Sequence, residues 1–202
     1  MHLLAAQPGG FVDDEGIVDL DQSPADIVIL SAADSSLASL ATACESLPSS
    51  LPSVRLANWM QLVKPAAFDL YQHKVLDKAQ VVVVSLLGGE SYWRYGFERL
   101  CAWLKTGANR TLILVPGDDA EDPQLLSASN VGADAARRVW RYLREGGHLN
   151  SQQLLLFLAS EYLACTYRWQ EPRPLPRCMI YMPEALRTEV VGSAHSVGGG
   201  QA

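Results

Sequence analysis

The chain has 202 residues, of which 49% are hydrophobic and 19% charged, with a formal net charge of −6. This length and balance suit one large folded domain, or a domain with an appendage, and exclude a disordered chain. The net negative charge leaves no general basic footprint for nucleic acid, and no apolar run is long enough to span a bilayer.

Residues 2–6 read as a short buried strand, broken at once by Pro8, Gly9 and Gly10. Residues 11–25 are acidic and turn-rich, with a short strand expected at residues 16–20. No crossover helix fits there, so the first strand belongs at a sheet edge or in a hairpin. Ile27, Val28, Ile29 and Leu30 then form an unbroken apolar run, as a strand covered on both faces requires. Asp34 is placed to N-cap a helix whose face is Leu37, Leu40, Ala41, Cys44 and Leu47. Pro48 and Pro52 close that unit, and residues 54–57 make the next strand.

Pro65 starts a helix expected to reach Ala79, with Phe68, Tyr71, Val75 and Ala79 on one side. Val81, Val82, Val83 and Val84 form the most apolar strand of the chain, in a residue type that favours a packed sheet. Gly88 and Gly89 end it. The following helix presents Trp93, Gly96, Phe97, Leu100, Cys101 and Leu104, and Gly107 stops it. Residues 111–115 form another buried strand, and residues 116–130 a long polar loop. Val131, Ala135, Val139, Tyr142 and Leu143 mark a helix ended by Gly146 and Gly147. Asn150 with Gln153 resembles a capping box for a last helix, apolar nearly all round over residues 154–163. Residues 171–176 are a proline-rich connector, residues 178–182 a strand, and residues 184–202 a loose tail.

The alternation of strands and helices predicts an α/β fold. Its architecture is a doubly wound, mostly parallel sheet of flavodoxin-like type, with a C-terminal helical pair and an extended tail. The domain division is 1–165 for the α/β domain, 166–177 for a proline-rich linker, and 178–202 for the truncated start of a next unit.

Ligands bind such sheets at the carboxyl ends of the strands. These ends are residues 31–34, 57–59, 87–95 and 116–119. The richest carries Gly88, Gly89, Glu90, Tyr92, Trp93 and Tyr95. Its glycines leave backbone amides near a helix N-terminus, where anions are favoured, and its aromatics could line a flat ligand or a partner. The plain alternative is a turn followed by helix-packing aromatics. The loop is neither a Walker loop nor a Gly-x-Gly-x-x-Gly turn, and no Gly-x-Ser-x-Gly elbow occurs.

The four carboxylates of residues 118–122 match no EF-hand loop and read as a solvated acidic loop. His2, His73, His148 and His195 form no metal pattern, and His148 is expected to meet free helix carbonyls or solvent. Arg137, Arg141 and Arg144 lie on one helical side, which reads as an exposed face, with an anion or partner patch as the alternative. Cys44, Cys101, Cys165 and Cys178 match no zinc motif and read as buried thiols of a reducing compartment. No secretory leader is legible, so a cytoplasmic location is expected. No catalytic residue and no metal ligand are assigned.

Three stretches together resemble the large subunit of ATP-dependent cobaltochelatase, a family related to the large subunit of magnesium chelatase. They are residues 1–11, residues 25–34, and Leu86, Leu87, Gly88 and Gly89 followed by Tyr92, Trp93, Tyr95 and Gly96. The resemblance is collinear over residues 1–182 and fades after Pro183. Ser85 stands where that family is expected to carry a charge.

The resemblance implies the N-terminal part of a tetrapyrrole-binding subunit. The whole subunit would insert cobalt(II) into hydrogenobyrinic acid a,c-diamide in aerobic cobalamin biosynthesis. ATP and magnesium would serve the partner subunits, an AAA+ ATPase and its companion. The family's large subunit is several times longer, so this chain reads as a truncated fragment, inactive alone. The alternative is a stand-alone flavodoxin-like domain for a small ligand.

Overall fold

A computed structural model describes residues 4–5 and 17–175. Its five strands are all parallel: β1 (Leu4–Ala5), β2 (Ile27–Ser31), β3 (Val54–Asn58), β4 (Val81–Leu86) and β5 (Thr111–Pro116). Their order across the sheet is β1-β3-β2-β4-β5. Leaving β1 aside, this is the second-first-third-fourth order of a flavodoxin-like sheet. β1 takes the edge beside β3 and runs parallel to it, so it makes no hairpin. Ile17 to Leu20 form no strand, and the expected strand at residues 178–182 and the tail lie outside the described residues.

Two hydrophobic layers follow from the alternation of side chains along each strand. Ile27, Ile29, Val81, Val83, Ile113 and Val115 face one side. There they meet α1 (Asp34–Ser46), α5 (Ala133–Glu145) and α6 (Gly147–Tyr162). Val28, Leu30, Val82, Val84, Leu112 and Leu114 face the other side. There they meet α2 (Pro65–Lys74) and α3 (Arg94–Lys105). Because both faces are covered, β2, β4 and β5 are apolar along most of their length rather than at alternate positions.

Several helix ends differ from expectation, each for a local reason. Asp34 is the first residue of α1 and not its cap; its Oδ1 accepts a hydrogen bond from Asn58 Nδ2 at 2.8 Å. α2 ends at Lys74 instead of reaching Ala79, and a 3-10 turn, Leu76–Lys78, follows. Carbonyls freed there are taken from outside the helix: Trp103 Nε1 donates to Leu76 O and Arg110 Nη2 to Asp77 O, both at 2.9 Å. Another 3-10 turn, Glu90–Trp93, precedes α3 and places Trp93 at its N-cap. Trp103 of α3 and Trp140 of α5 are buried, although the expected faces omitted both. The loop after β5 contains a short helix, α4 (Pro123–Ser127), capped by Asp122 Oδ1 on Leu125 N at 2.9 Å.

The expected capping box of Asn150 and Gln153 is displaced. Gly146 and Gly147 have φ of +64° and +79°, which lets α6 begin directly after α5 and puts Asn150 inside it. Asn150 instead holds the chain that follows α6. Its Nδ2 donates to Gly146 O and Arg173 O, and its Oδ1 accepts from Arg173 N. Gln153 Oε1 accepts from Gln170 N at 2.7 Å, and Arg138 pairs with Glu171. The stretch leading to the prolines is therefore extended and tied to α5 and α6. Trp169 packs edge-on against Phe157 with ring centroids 4.9 Å apart.

Gly96 is required by its neighbour. A Cβ there would lie 2.1 Å from the ring of the buried Trp93. Gly96→Ala is expected to lower stability by about 1–3 kcal/mol through overpacking, measured by urea denaturation.

At the foot of the sheet, Asp26 ties β2 to β3. Its Oδ2 accepts from Ser53 Oγ at 2.6 Å and Ser53 N at 2.9 Å. The Ser53 hydroxyl above all holds the Asp26 carboxyl below its ordinary value of 3.8, with the Ser53 amide and Gln80 assisting against partial burial. A carboxyl lowered by folding contributes stability in full above the unfolded value and loses it as pH falls through the folded one. Asp26→Asn should therefore be less stable than the parent near neutral pH, and the gap should close below pH 3.8. Thermal melts across that range check this.

Candidate functional site

Six residues singled out from sequence surround the end of β4. Gly88 and Gly89, at φ of +80° and +72°, turn the chain out of the strand. Trp93 is buried and stacks on Trp59, with centroids 5.1 Å apart and planes 13° from parallel. Trp59 Nε1 donates to Ser85 O at 2.9 Å, which fixes the end of β4 against the end of β3. Trp93 Nε1 is buried without a hydrogen-bond partner among the described residues. Tyr95 is half-buried, and its hydroxyl donates to Asp69 Oδ2 at 2.7 Å; that bond raises the phenol's pKa. Glu90 is exposed, as is Tyr92, with 61% of its surface accessible and its ring edge-on to Trp59. Two of the three aromatics thus pack inward, and the loop presents Tyr92 and the exposed Leu87 outward.

A concave site lies on the opposite face of the sheet. From β2 the chain passes to β3 on one side and then to β4 on the other, so the connections diverge between β2 and β4. In open α/β sheets this divergence leaves a crevice at the carboxyl ends of the strands. Ser31 and Ser85 are register partners there. By alternation both fall on the face that carries α1, α5 and α6. They line a cavity of about 350 Å³ with Ser36 of α1, the turn after β5 and Arg144 of α5. A neighbouring cavity of about 240 Å³ shares Ser36 and Arg144 with it and continues along α1 to Gly146, Gly147 and Ser151.

The turn after β5 is held close to β4. Gly117 N donates to Leu86 O at 2.8 Å, and a Cβ on Gly117 would lie 2.7 Å from Leu87 N. Most of the acidic loop is spent locally. Asp118 Oδ1 accepts from Ala120 N, Asp122 caps α4, and Glu121 pairs with Arg137. No trio of His, Cys, Asp and Glu among the described residues is placed to hold a metal ion.

Several of the remaining candidates have structural partners. Arg137, Arg141 and Arg144 are exposed. Arg144 lies over the Trp140 ring at 5.0 Å and pairs with Glu145. His148 Nε2 stands 3.4 Å from Ser46 Oγ, so it meets a hydroxyl of α1 rather than free carbonyls. Burial pushes the Cys44 thiol up to about 11 and raises that of Cys101, which keeps both protonated near neutral pH. Cys165 is free and half-buried, and Cys178 lies outside the described residues. No helix among the described residues is long and apolar enough to cross a membrane.

No protein-family model matches the chain. It is 51% identical over 183 residues to the aerobic cobaltochelatase subunit CobN of Pseudomonas aeruginosa, covering 91% of this chain and 14% of that protein. It is 40% identical over 185 residues to the aerobic cobaltochelatase subunit CobN of a Sinorhizobium species, covering 92% and 14% respectively. Among solved structures, the catalytic subunit of cobaltochelatase from Mycobacterium tuberculosis superposes with a TM-score of 0.62 at 28% identity. That match covers 78% of this chain and 12% of the other. The chain thus spans about 14% of the length of the curated relatives it matches. With 51% identity across nine-tenths of its residues and the same fold, the chain is a homologue of one segment of the cobaltochelatase subunit CobN.

Proposed function

We propose that this α/β unit works as the N-terminal module of a cobaltochelatase large subunit in the cytoplasm. The whole subunit would bind hydrogenobyrinic acid a,c-diamide and receive cobalt(II) as its second substrate, in aerobic cobalamin biosynthesis. ATP and magnesium would be used by partner subunits, an AAA+ ATPase and its companion. The observation that carries this reading is the collinear 51% identity over 183 residues to a CobN subunit.

Within that assembly the module's part is structural. Residues 1–165 would form the module, residues 166–177 the connector, and residues 178–202 the beginning of the next unit. The described strand ends offer serines, an arginine and tied carboxylates, and no assembled acid–base pair or metal ligand set. The loop of Gly88, Gly89, Glu90, Tyr92, Trp93 and Tyr95 would supply a surface for the rest of the subunit. Buried Trp93 and half-buried Tyr95 brace it, and Tyr92 and Leu87 are its exposed apolar groups.

Cobalt insertion into the diamide, followed by absorbance in the presence of ATP, magnesium and purified partner subunits, tests the proposal. The 202-residue chain should give no insertion. A full-length CobN subunit whose matching segment is replaced by this chain should insert cobalt, and one lacking the segment should not. Robust turnover by the chain with partners alone, or full activity without the segment, would overturn it.

A further inference from the structure

We propose that the crevice between β2 and β4 binds the oxyanion head of a small ligand, a phosphate or a carboxylate, with Ser85 at its floor and Arg144 at its rim. This inference rests on the geometry of the crevice and stands independently of the chelatase reading. Ser85 is only 8% exposed, and its hydroxyl has no hydrogen-bond partner among the described residues. This hydroxyl lines the cavity instead of packing against a carbonyl, so its hydrogen-bonding capacity is open to a ligand. Its register partner Ser31 is 3% exposed and accepts from Ala33 N at 3.1 Å, which leaves its own hydrogen to donate.

The wall beside these serines is the start of α1, a helix of 13 residues with no side-chain cap. Its first amides carry the partial positive charge of the helix dipole. Asp34, the nearest carboxylate on α1, is engaged sideways by Asn58. α4 differs, since Asp122 already fills the same role at its end. Ser36 adds a hydroxyl from the first turn of α1. Across the crevice, Arg144 supplies a guanidinium that Trp140 supports and Glu145 partly neutralises.

Asp118 and Asp119 line the remaining wall. They oppose a bare dianion and favour a ligand whose oxyanion adjoins hydrogen-bond donors. The chemistry that fits is therefore an oxyanion next to hydroxyl or amide groups. Sugar phosphates and amide-bearing carboxylates both have it, and the neighbouring cavity of about 240 Å³ gives room for the rest of either.

The test is ¹⁵N-resolved NMR of the full chain titrated separately with inorganic phosphate, ribose 5-phosphate and N-acetylglycine. Saturable shifts are expected at the amides of Ser31, Ser36, Ser85 and Arg144. A tighter response to ribose 5-phosphate assigns the phosphate source, and a tighter response to N-acetylglycine assigns the carboxylate source. Ser85→Val continues the valine run of β4, and its folding is checked by the dispersion of its own spectrum. Ser85→Val and Arg144→Gln should each weaken binding about tenfold, the loss of one hydrogen bond to a charged group. Ser36→Ala, at a half-buried position, gives a further variant should Ser85→Val fail to fold. No saturable shift with any of the three probes at millimolar concentration would overturn the site. So would binding that is undiminished in the folded variants.

Discussion

Ser31 and Ser85 face each other across the pairing of β2 with β4, and much of the molecule is arranged by that pairing. The two strands run side by side from Ile27 opposite Val81 to Ser31 opposite Ser85. Both are apolar over their first four residues and polar at the fifth. The apolar stretch keeps them in the middle of the sheet, where helices cover both faces. The serines mark where burial between helices gives way to an open crevice. Because neighbouring connections diverge at this point, the same register that stabilises the sheet also creates the concave site.

The opposite face shows how the strand ends are kept rigid. Trp59, from the end of β3, donates to the carbonyl of Ser85 and stacks on Trp93. Trp93 in turn occupies the space that the missing side chain of Gly96 leaves free. A single aromatic stack thus links β3, β4 and α3 directly beneath the glycine turn. The crevice and the loop are two sides of one braced sheet end. The face with α1, α5 and α6 is hydroxyl-rich and open, while the face with α2 and α3 is aromatic and filled.

The strap after α6 completes the covered face. Helices α5 and α6 meet without a linker, through two glycines of positive φ, and the chain then returns along them. Asn150, Gln153 and Arg138 hold that return by hydrogen bonds and an ion pair. Polar residues of helix surfaces thereby serve as anchors for backbone that has no sheet or helix of its own to satisfy it.

The sequence by itself determined the α/β class, four central strands, most of the helices and the family resemblance. Those rest on local periodicity, on runs such as Val81 to Val84, and on collinear residues, all of which are properties of neighbours along the chain. It also indicated two of the strand ends that line the crevice, through Ser31 and through Pro116 with the loop after it. The tertiary structure alone decided which side of the sheet the site occupies. Ser85 stood out in the sequence only as a departure from the charge expected there, and its pairing with Ser31 is what places it in a cavity. Asn150 matched a capping pattern because a cap is local, yet its partner is Arg173, 23 residues away. Trp103 and Trp140 were missed for the same reason: a large ring is buried by what distant segments bring to it. Side-chain alternation is written in each strand, but register and layer depend on contacts between strands far apart in sequence.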